Sequence, residues 1–219
     1  MSAACVEINE IYFRTLQVSA YKAALGLRRT RFFADNRKMA AGTTLLTLEE
    51  YHAKYAHEAG WEYWFGEAVR KPVPTWYHSV LQWILARFLS DAGFIAGSEL
   101  DLRIDQNWEP RPDVAGATAI TGRYPTKPNE ISLVIEILSD DQMSYLLKKC
   151  QNYVRIGIEH IYVFDPEGQR IWKWSKEEDD LIRVQGIQFE DGDRSFLPGE
   201  RIWTEFKRRI QFRKPEGTS

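Results

Sequence analysis

The chain has 219 residues, 44% hydrophobic and 27% charged, which is the balance of one globular domain with a sizeable core. Its net charge of −2 excludes a global attraction to polyanions, so any contact with nucleic acid has to come from a local basic patch. Cys5 and Cys150 are too few and too far apart for a disulfide framework or a zinc site, no apolar run is long enough to span a bilayer, and no signal-peptide pattern opens the chain; the expectation is a reduced, cytoplasmic protein with no membrane partner.

Residues 1–38 differ from the rest. Seven Lys/Arg face three acids there, a net of +4, and the apolar residues show only weak periodicity. The segment reads as an accessory or disordered N-terminal extension, with residues 39–219 forming the folded domain; its charge also allows a basic arm for nucleic acid. From Thr47 the pattern sharpens. Thr47-Leu48-Glu49-Glu50 is a helix N-cap followed by acids, and the helix should run to about Ala59, closed by Gly60. Trp61–Phe65 and Ala68–Lys71 read as a hairpin around Gly66-Glu67. After Pro72 and Pro74, Val80, Leu81, Ile84, Leu85, Phe88 and Leu89 recur at three- and four-residue steps, predicting a helix over 77–92.

Strands follow: 94–104, a turn at 105–108, then 111–119 beginning at Pro112, where a strand tolerates proline. After a polar loop at 122–129, the nearly continuous apolar run 131–138 predicts a central strand buried on both faces. Ser139-Asp140-Asp141 should cap a helix to about Ile156, ended by Gly157, with a strand at 160–164. Strands at 169–174 and 181–189 add a meander, and 201–214 a terminal helix and basic tail.

Two acids stand at strand positions, Asp113 in Arg111-Pro112-Asp113-Val114 and Glu136 in Leu133-Val134-Ile135-Glu136-Ile137-Leu138. A carboxylate inside a buried β-branched run is costly unless it is paired or holds a cation. Mg2+ is a hard cation that takes oxygen ligands and keeps several waters, so two carboxylates suffice to hold it, with Mn2+ as a substitute. Two such acids and a nearby lysine are the parts of a site that cleaves phosphodiesters: the metal activates water and a cationic group stabilises the transition state. Glu99, on the strand before Asp113, is an auxiliary candidate. Read alone, Asp113 could end a turn, Glu99 could be a solvated strand residue, His78 a capping or packing residue at a helix start, and Asp165-Pro166 a turn.

The order of elements and these residues resemble the PD-(D/E)xK nuclease superfamily, and within it a large bacterial family of restriction-endonuclease-type proteins. The resemblance covers roughly residues 45–205. It rests on Trp61-Glu62-Tyr63 to Gly66-Glu67, His78, Arg111-Pro112-Asp113, Glu136-Ile137-Leu138-Ser139, Lys149 with Tyr153, Gly157-Ile158 to Asp165-Pro166, and Phe196-Leu197-Pro198-Gly199. It implies an α/β fold with a restriction-endonuclease-like αβββαβ core, a mixed central sheet flanked by helices and extra β-strands. It also implies a Mg2+-dependent endonuclease acting on DNA, a homodimer by analogy, Asp113 and Glu136 as metal ligands, and Glu62 as an auxiliary acid. The superfamily places its lysine two residues after the glutamate, where this chain has Leu138. The family it resembles carries a lysine on the following helix, matching Lys149. A helical wheel favours Lys149 over Lys148, since only Lys149 borders the face of Leu146, Cys150 and Tyr153.

Two other classes stay open on the sequence: a catalytically silent nucleic-acid-binding or scaffold protein on the same fold, and a glycosidase using a carboxylate pair. The reading of residues 1–38 has its own test. A chain beginning at Met39 should lose less than about 2 kcal/mol of stability in denaturant unfolding, and a larger loss would mean that the segment packs on the core.

Overall fold

The computed structural model describes residues 45–55, 57–139, 143–189 and 196–211. The expectations for residues 1–38, for the capping acids Asp140 and Asp141, and for the basic tail beyond Gln211 lie outside the described residues. In chain order the elements are α1 (Leu48–Lys54), β1 (Trp61–Trp64), β2 (Glu67–Arg70), α2 (Trp76–Asp91), β3 (Ile95–Ser98), β4 (Trp108–Glu109) and β5 (Val114–Ala117). They continue with β6 (Leu133–Ile137), α3 (Met143–Arg155), β7 (Ile161–Asp165), β8 (Arg170–Ser175), β9 (Asp180–Val184), β10 (Gly186–Gln188), β11 (Phe196–Pro198) and α4 (Gly199–Ile210). No helix among the described residues is long and apolar enough to cross a membrane.

The core is a six-stranded mixed sheet in the order β3-β5-β6-β7-β8-β9, in which only β6 and β7 run parallel. Helix α3 supplies the crossover that a parallel pair requires. The run α2-β3-β5-β6-α3-β7 is therefore the expected αβββαβ core, and β8 and β9 are the added strands. Alternation along β6 feeds two cores. Leu133, Ile135 and Ile137 face one cluster with α2 and α4, while Val134 faces another with Trp64, Trp108, Cys150 and Tyr153. Cys150 is buried and unoxidised, a small core residue. A three-stranded sheet, β2-β1-β4, contributes Trp64 and Trp108 to that second core.

Several boundaries differ from those expected. Helix α1 stops at Lys54 instead of reaching Ala59, and the Tyr55 ring packs 4.8 Å from Trp61 on the hairpin. The strand expected over 94–104 ends at Ser98, because Glu99 takes a left-handed backbone (φ 55°) that breaks the ladder. The expected turn at 105–108 contains the start of β4, which pairs with β1 rather than with the central sheet. Strand β5 covers only 114–117 of the expected 111–119. Prolines at 110 and 112 have no N–H to give a ladder. The strand expected over 181–189 is two strands: β9 stays in the central sheet and β10 forms a ribbon with β11. Helix α4 begins two residues ahead of the expected start, at Gly199, and ends at Ile210.

Gly186 shows how tight that ribbon is. A Cβ there would run into the Leu197 carbonyl and the Phe196 ring. Gly186→Ala should cost about 1–3 kcal/mol in denaturant unfolding by forcing β10 and β11 apart; an unchanged midpoint would show that the ribbon gives freely.

Candidate metal-dependent active site

The site is built around Arg111, the residue between two prolines. Its N–H donates to Glu62 Oε1 at 2.8 Å and its guanidinium Nε donates to Asp101 Oδ1 at 2.7 Å. Its carbonyl accepts from two ammonium groups, Lys71 Nζ at 2.8 Å and Lys149 Nζ at 3.1 Å. Asp113 follows, just ahead of β5. Continuing the pairing of Val114 with Ile135, Asp113 lies opposite Glu136, so the two acids emerge on one face of the sheet. Asp113 Oδ2 accepts the Ile137 N–H at 2.7 Å, and Oδ1 faces Lys71 Nζ at 3.0 Å and His78 Nε2 at 3.4 Å.

Glu136 projects from β6, which is buried at all five positions, toward α3. Its Oε1 accepts the Tyr153 hydroxyl at 2.7 Å and lies 2.9 Å from Lys149 Nζ. Lys149 is 1% exposed, and its ammonium also lies 2.7 Å from Glu62 Oε1. Lys148, one position away, is exposed, with its amine 5.4 Å from the Trp64 ring. Glu62 is wholly buried and fully used: beyond Lys149 and the Arg111 N–H, its Oε2 accepts Trp64 Nε1–H at 2.9 Å and the Tyr145 hydroxyl at 2.6 Å. With both oxygens saturated, Glu62 has no acceptor position left for a metal. It braces Lys149 and the Arg111 backbone instead.

A second ammonium completes the site. Lys71, in the segment after β2, donates to Glu99 Oε1 at 2.9 Å and Oε2 at 2.8 Å as well as to Asp113 and the Arg111 carbonyl. Gln82 on α2 donates to Glu99 Oε1 at 3.1 Å and to the Asp113 carbonyl at 2.8 Å. His78 caps nothing with its ring. Its backbone N–H donates to the Thr75 hydroxyl that caps α2, and its imidazole bridges Asp113 and Ser139 Oγ, the latter at 3.3 Å. His78, Glu99 and Asp113 each offer a ligand atom, all within 4.8 Å of one another. This donor set, two carboxylates with one imidazole beside a main-chain carbonyl, could hold a divalent cation, and a cationic nitrogen already lies among its oxygens.

Charge balance sets the electrostatics. Glu62, Asp113 and Glu136 are buried acids, and Lys71 and Lys149 are the buried cations beside them, so one acid is in excess. The excess falls on Glu136. Burial pushes its carboxyl up to about 7, against the pull of Lys149 and with the help of Asp113. Burial also acts on Asp113 and Glu62, yet both end below the ordinary range. Lys71 and His78 hold Asp113 down. Lys149, Lys71 and the Tyr145 hydroxyl hold Glu62 down. Burial opposes the charge of Lys149, but Glu136 and Glu62 outweigh it and hold the ammonium protonated.

The structure thus brings together Asp113, Glu136, Lys149, Glu62 and Glu99. It adds Lys71, Gln82, Tyr145 and the His78 ring, which sequence reasoning had left out or read as capping. Lys71 reaches Asp113 from 42 positions away in the chain, and no local pattern marks it. Asp165 ends β7 and its carboxylate holds the turn that follows, accepting the N–H groups of Glu167 and Gly168 and the Arg170 guanidinium.

Residues 48–204 match the Uma2 family, described as "Putative restriction endonuclease". A solved structure described as "a putative nuclease belonging to DUF820 from Anabaena variabilis" superposes with a TM-score of 0.61 at 17% identity, covering 74% of this chain and 99% of that one. At that identity the likeness is one of fold. No curated protein matches.

The excess acid makes a pH prediction. A carboxyl raised from 4.5 to about 7 on folding binds its proton more tightly in the folded state. Its stabilising contribution is therefore present at low pH and is lost as pH rises through 7. In chelator, Glu136→Gln should gain stability over wild type between pH 5 and 8, by no more than roughly 3 kcal/mol. A difference that stays flat across that range would show that Glu136 is ionised throughout.

Proposed function

Because the chain belongs to the Uma2 family and carries a nuclease-like fold, we propose that it is a metal-dependent endonuclease hydrolysing phosphodiester bonds of DNA, with Mg2+ as cofactor and Mn2+ as a substitute. The observation that carries this reading is the placement of Asp113 opposite Glu136 on one sheet face, both buried, in a cluster with more carboxylates than ammonium groups. A divalent cation relieves that excess in a way that no structural ion pair does here.

Asp113 would hold the ion, with Glu136 completing the acid pair of the β5–β6 end. When bound, the ion would polarise a phosphate oxygen and lower the pKa of the attacking water. The remaining work is done by the chain. Lys149 and Tyr153 fix the Glu136 carboxylate in one orientation. Glu62 and the Arg111 carbonyl fix Lys149 in turn. Lys149 keeps a permanent positive charge within reach of the acids, where it can stabilise charge developing on phosphate. The reading places the protein in the cytoplasm, with DNA as partner, and cleavage of both strands would use two chains.

A catalytically silent member of the family is favoured by one observation, the Lys71 ammonium lying among the candidate ligands. A glycosidase is not, because two nearly buried carboxylates that each hold an ammonium do not flank an open sugar cleft.

Single-turnover cleavage of mixed single- and double-stranded DNA and RNA, with Mn2+ and with chelator, separates these readings. Wild type should cut DNA with Mn2+ and stop in chelator, and Asp113→Asn and Glu136→Gln should each abolish cleavage while staying folded. Full activity in either variant would remove that acid from the site. Lys149→Ala should lower the rate by about 10²–10³, the scale of one preorganised charge, while Lys148→Ala should leave it nearly unchanged. Equal small effects from both would take Lys149 out of the mechanism.

A further inference from the structure

We propose that Lys71 is a tethered cation that occupies the divalent-metal position of the resting protein, and that metal enters only by displacing its ammonium. The inference rests on the metal-dependent reading above.

The Lys71 ammonium is seated by four oxygens: both carboxylate oxygens of Glu99 at 2.9 and 2.8 Å, Asp113 Oδ1 at 3.0 Å and the Arg111 carbonyl at 2.8 Å. An ammonium has three protons, so this is more acceptors than it can satisfy singly. The excess of oxygens is what a metal with six ligand positions would use. Three features separate Lys71 from a structural ion pair. The first is overlap: two of the acceptors, Glu99 and Asp113, belong to the three-residue group that converges with metal-ligand spacing, and the third member, His78, contacts the same Asp113 oxygen as Lys71.

The second is access. Lys149, the other ammonium, is 1% exposed and enclosed by Glu62, Glu136 and α3. The Lys71 side chain is 10% exposed and its partner Glu99 is 41% exposed, so Lys71 sits at the solvent side of the cluster and can leave without opening the core. The third is the tether. Lys71 follows β2 of the small three-stranded sheet and precedes two prolines, 72 and 74, so its side chain crosses to the central sheet from an element that contributes none of the candidate ligands. Withdrawing it leaves His78, Glu99 and Asp113 on their own supports in α2, after β3 and ahead of β5.

The physical consequence is a resting site that stays assembled without metal. One ammonium holds carboxylates together that would otherwise repel one another, and a doubly charged ion replaces it with a stronger attraction to the same oxygens. Mutual exclusion follows, because two cations cannot share Asp113 Oδ1 and Glu99.

Mn2+ titration of wild type and Lys71→Met, followed by calorimetry and by thermal melting, tests this. Lys71→Met should bind Mn2+ about tenfold or more tightly than wild type, the scale of removing one like charge from contact with the ion. Equal or weaker binding by Lys71→Met, or no Mn2+ binding by either protein, would overturn the proposal. Binding by the variant alone would support it. Should Lys71→Met fail to fold, acetylation of wild type with an amine-reactive ester decides, read by peptide mass spectrometry with exposed Lys148 as the internal reference. Lys71 should be protected in chelator and become reactive with Mn2+, whereas protection that persists at saturating Mn2+ contradicts displacement. The nuclease reading stands or falls separately, on cleavage. Displacement without cleavage keeps this inference and sinks that reading, and cleavage with Lys71 still protected does the reverse.

Discussion

Everything at this site depends on one constraint: buried carboxylates must be matched by buried positive charge. Asp113 and Glu136 enter the interior from neighbouring segments of the central sheet and Glu62 from β1 of the small sheet, and two ammonium groups come to meet them from different directions. Lys149 descends from α3 and Lys71 crosses from the end of the β1–β2 hairpin. Both meet at the carbonyl of Arg111, which is available because the prolines on either side keep this backbone out of the sheet ladder. The left-handed Glu99 ends β3 so that its carboxylate can reach Lys71, at a backbone cost of about 1–2 kcal/mol that a structural strand would avoid.

The division of labour among the acids follows from how many donors each one has. Glu62 is saturated by four groups and works as a brace. Asp113 and Glu99 share the Lys71 ammonium at the solvent side of the cluster, and the excess of acid falls on Glu136. Such an arrangement is a poor way to gain stability, since buried ion pairs return little beyond their desolvation cost. Under the metal-dependent reading it would keep the proposed ligands converged before an ion binds.

The sequence made a large part of this legible, for physical reasons that differ by element. The central strand β6 and helix α2 declare themselves because burial on both faces or on one stripe leaves a strong apolar pattern. Asp113 and Glu136 stand out because an acid in such surroundings needs a reason. The wheel distinguishes Lys149 from Lys148 because a helix presents neighbouring residues to different environments. What was hidden depends on tertiary proximity. Lys71 looks like the end of an ordinary hairpin strand, and His78 like a helix-start residue, until the chain closes and brings both to Asp113. Strand β4 is only two residues long and begins inside what reads as a turn, and only its pairing with β1 makes it a strand. Glu62 enters the sequence reading only as an auxiliary acid implied by the resemblance, because alternation in a short hairpin says nothing about which face a second sheet will cover.

The most direct measurement is an anomalous difference map from crystals of the wild-type protein grown with Mn2+. The account predicts one peak per chain beside Asp113 and Glu99, at the position the Lys71 ammonium holds here, with metal–oxygen distances of about 2.1 Å and Lys71 turned away. A map with no peak at Asp113, and with Lys71 still bound to both carboxylates at saturating Mn2+, would contradict it.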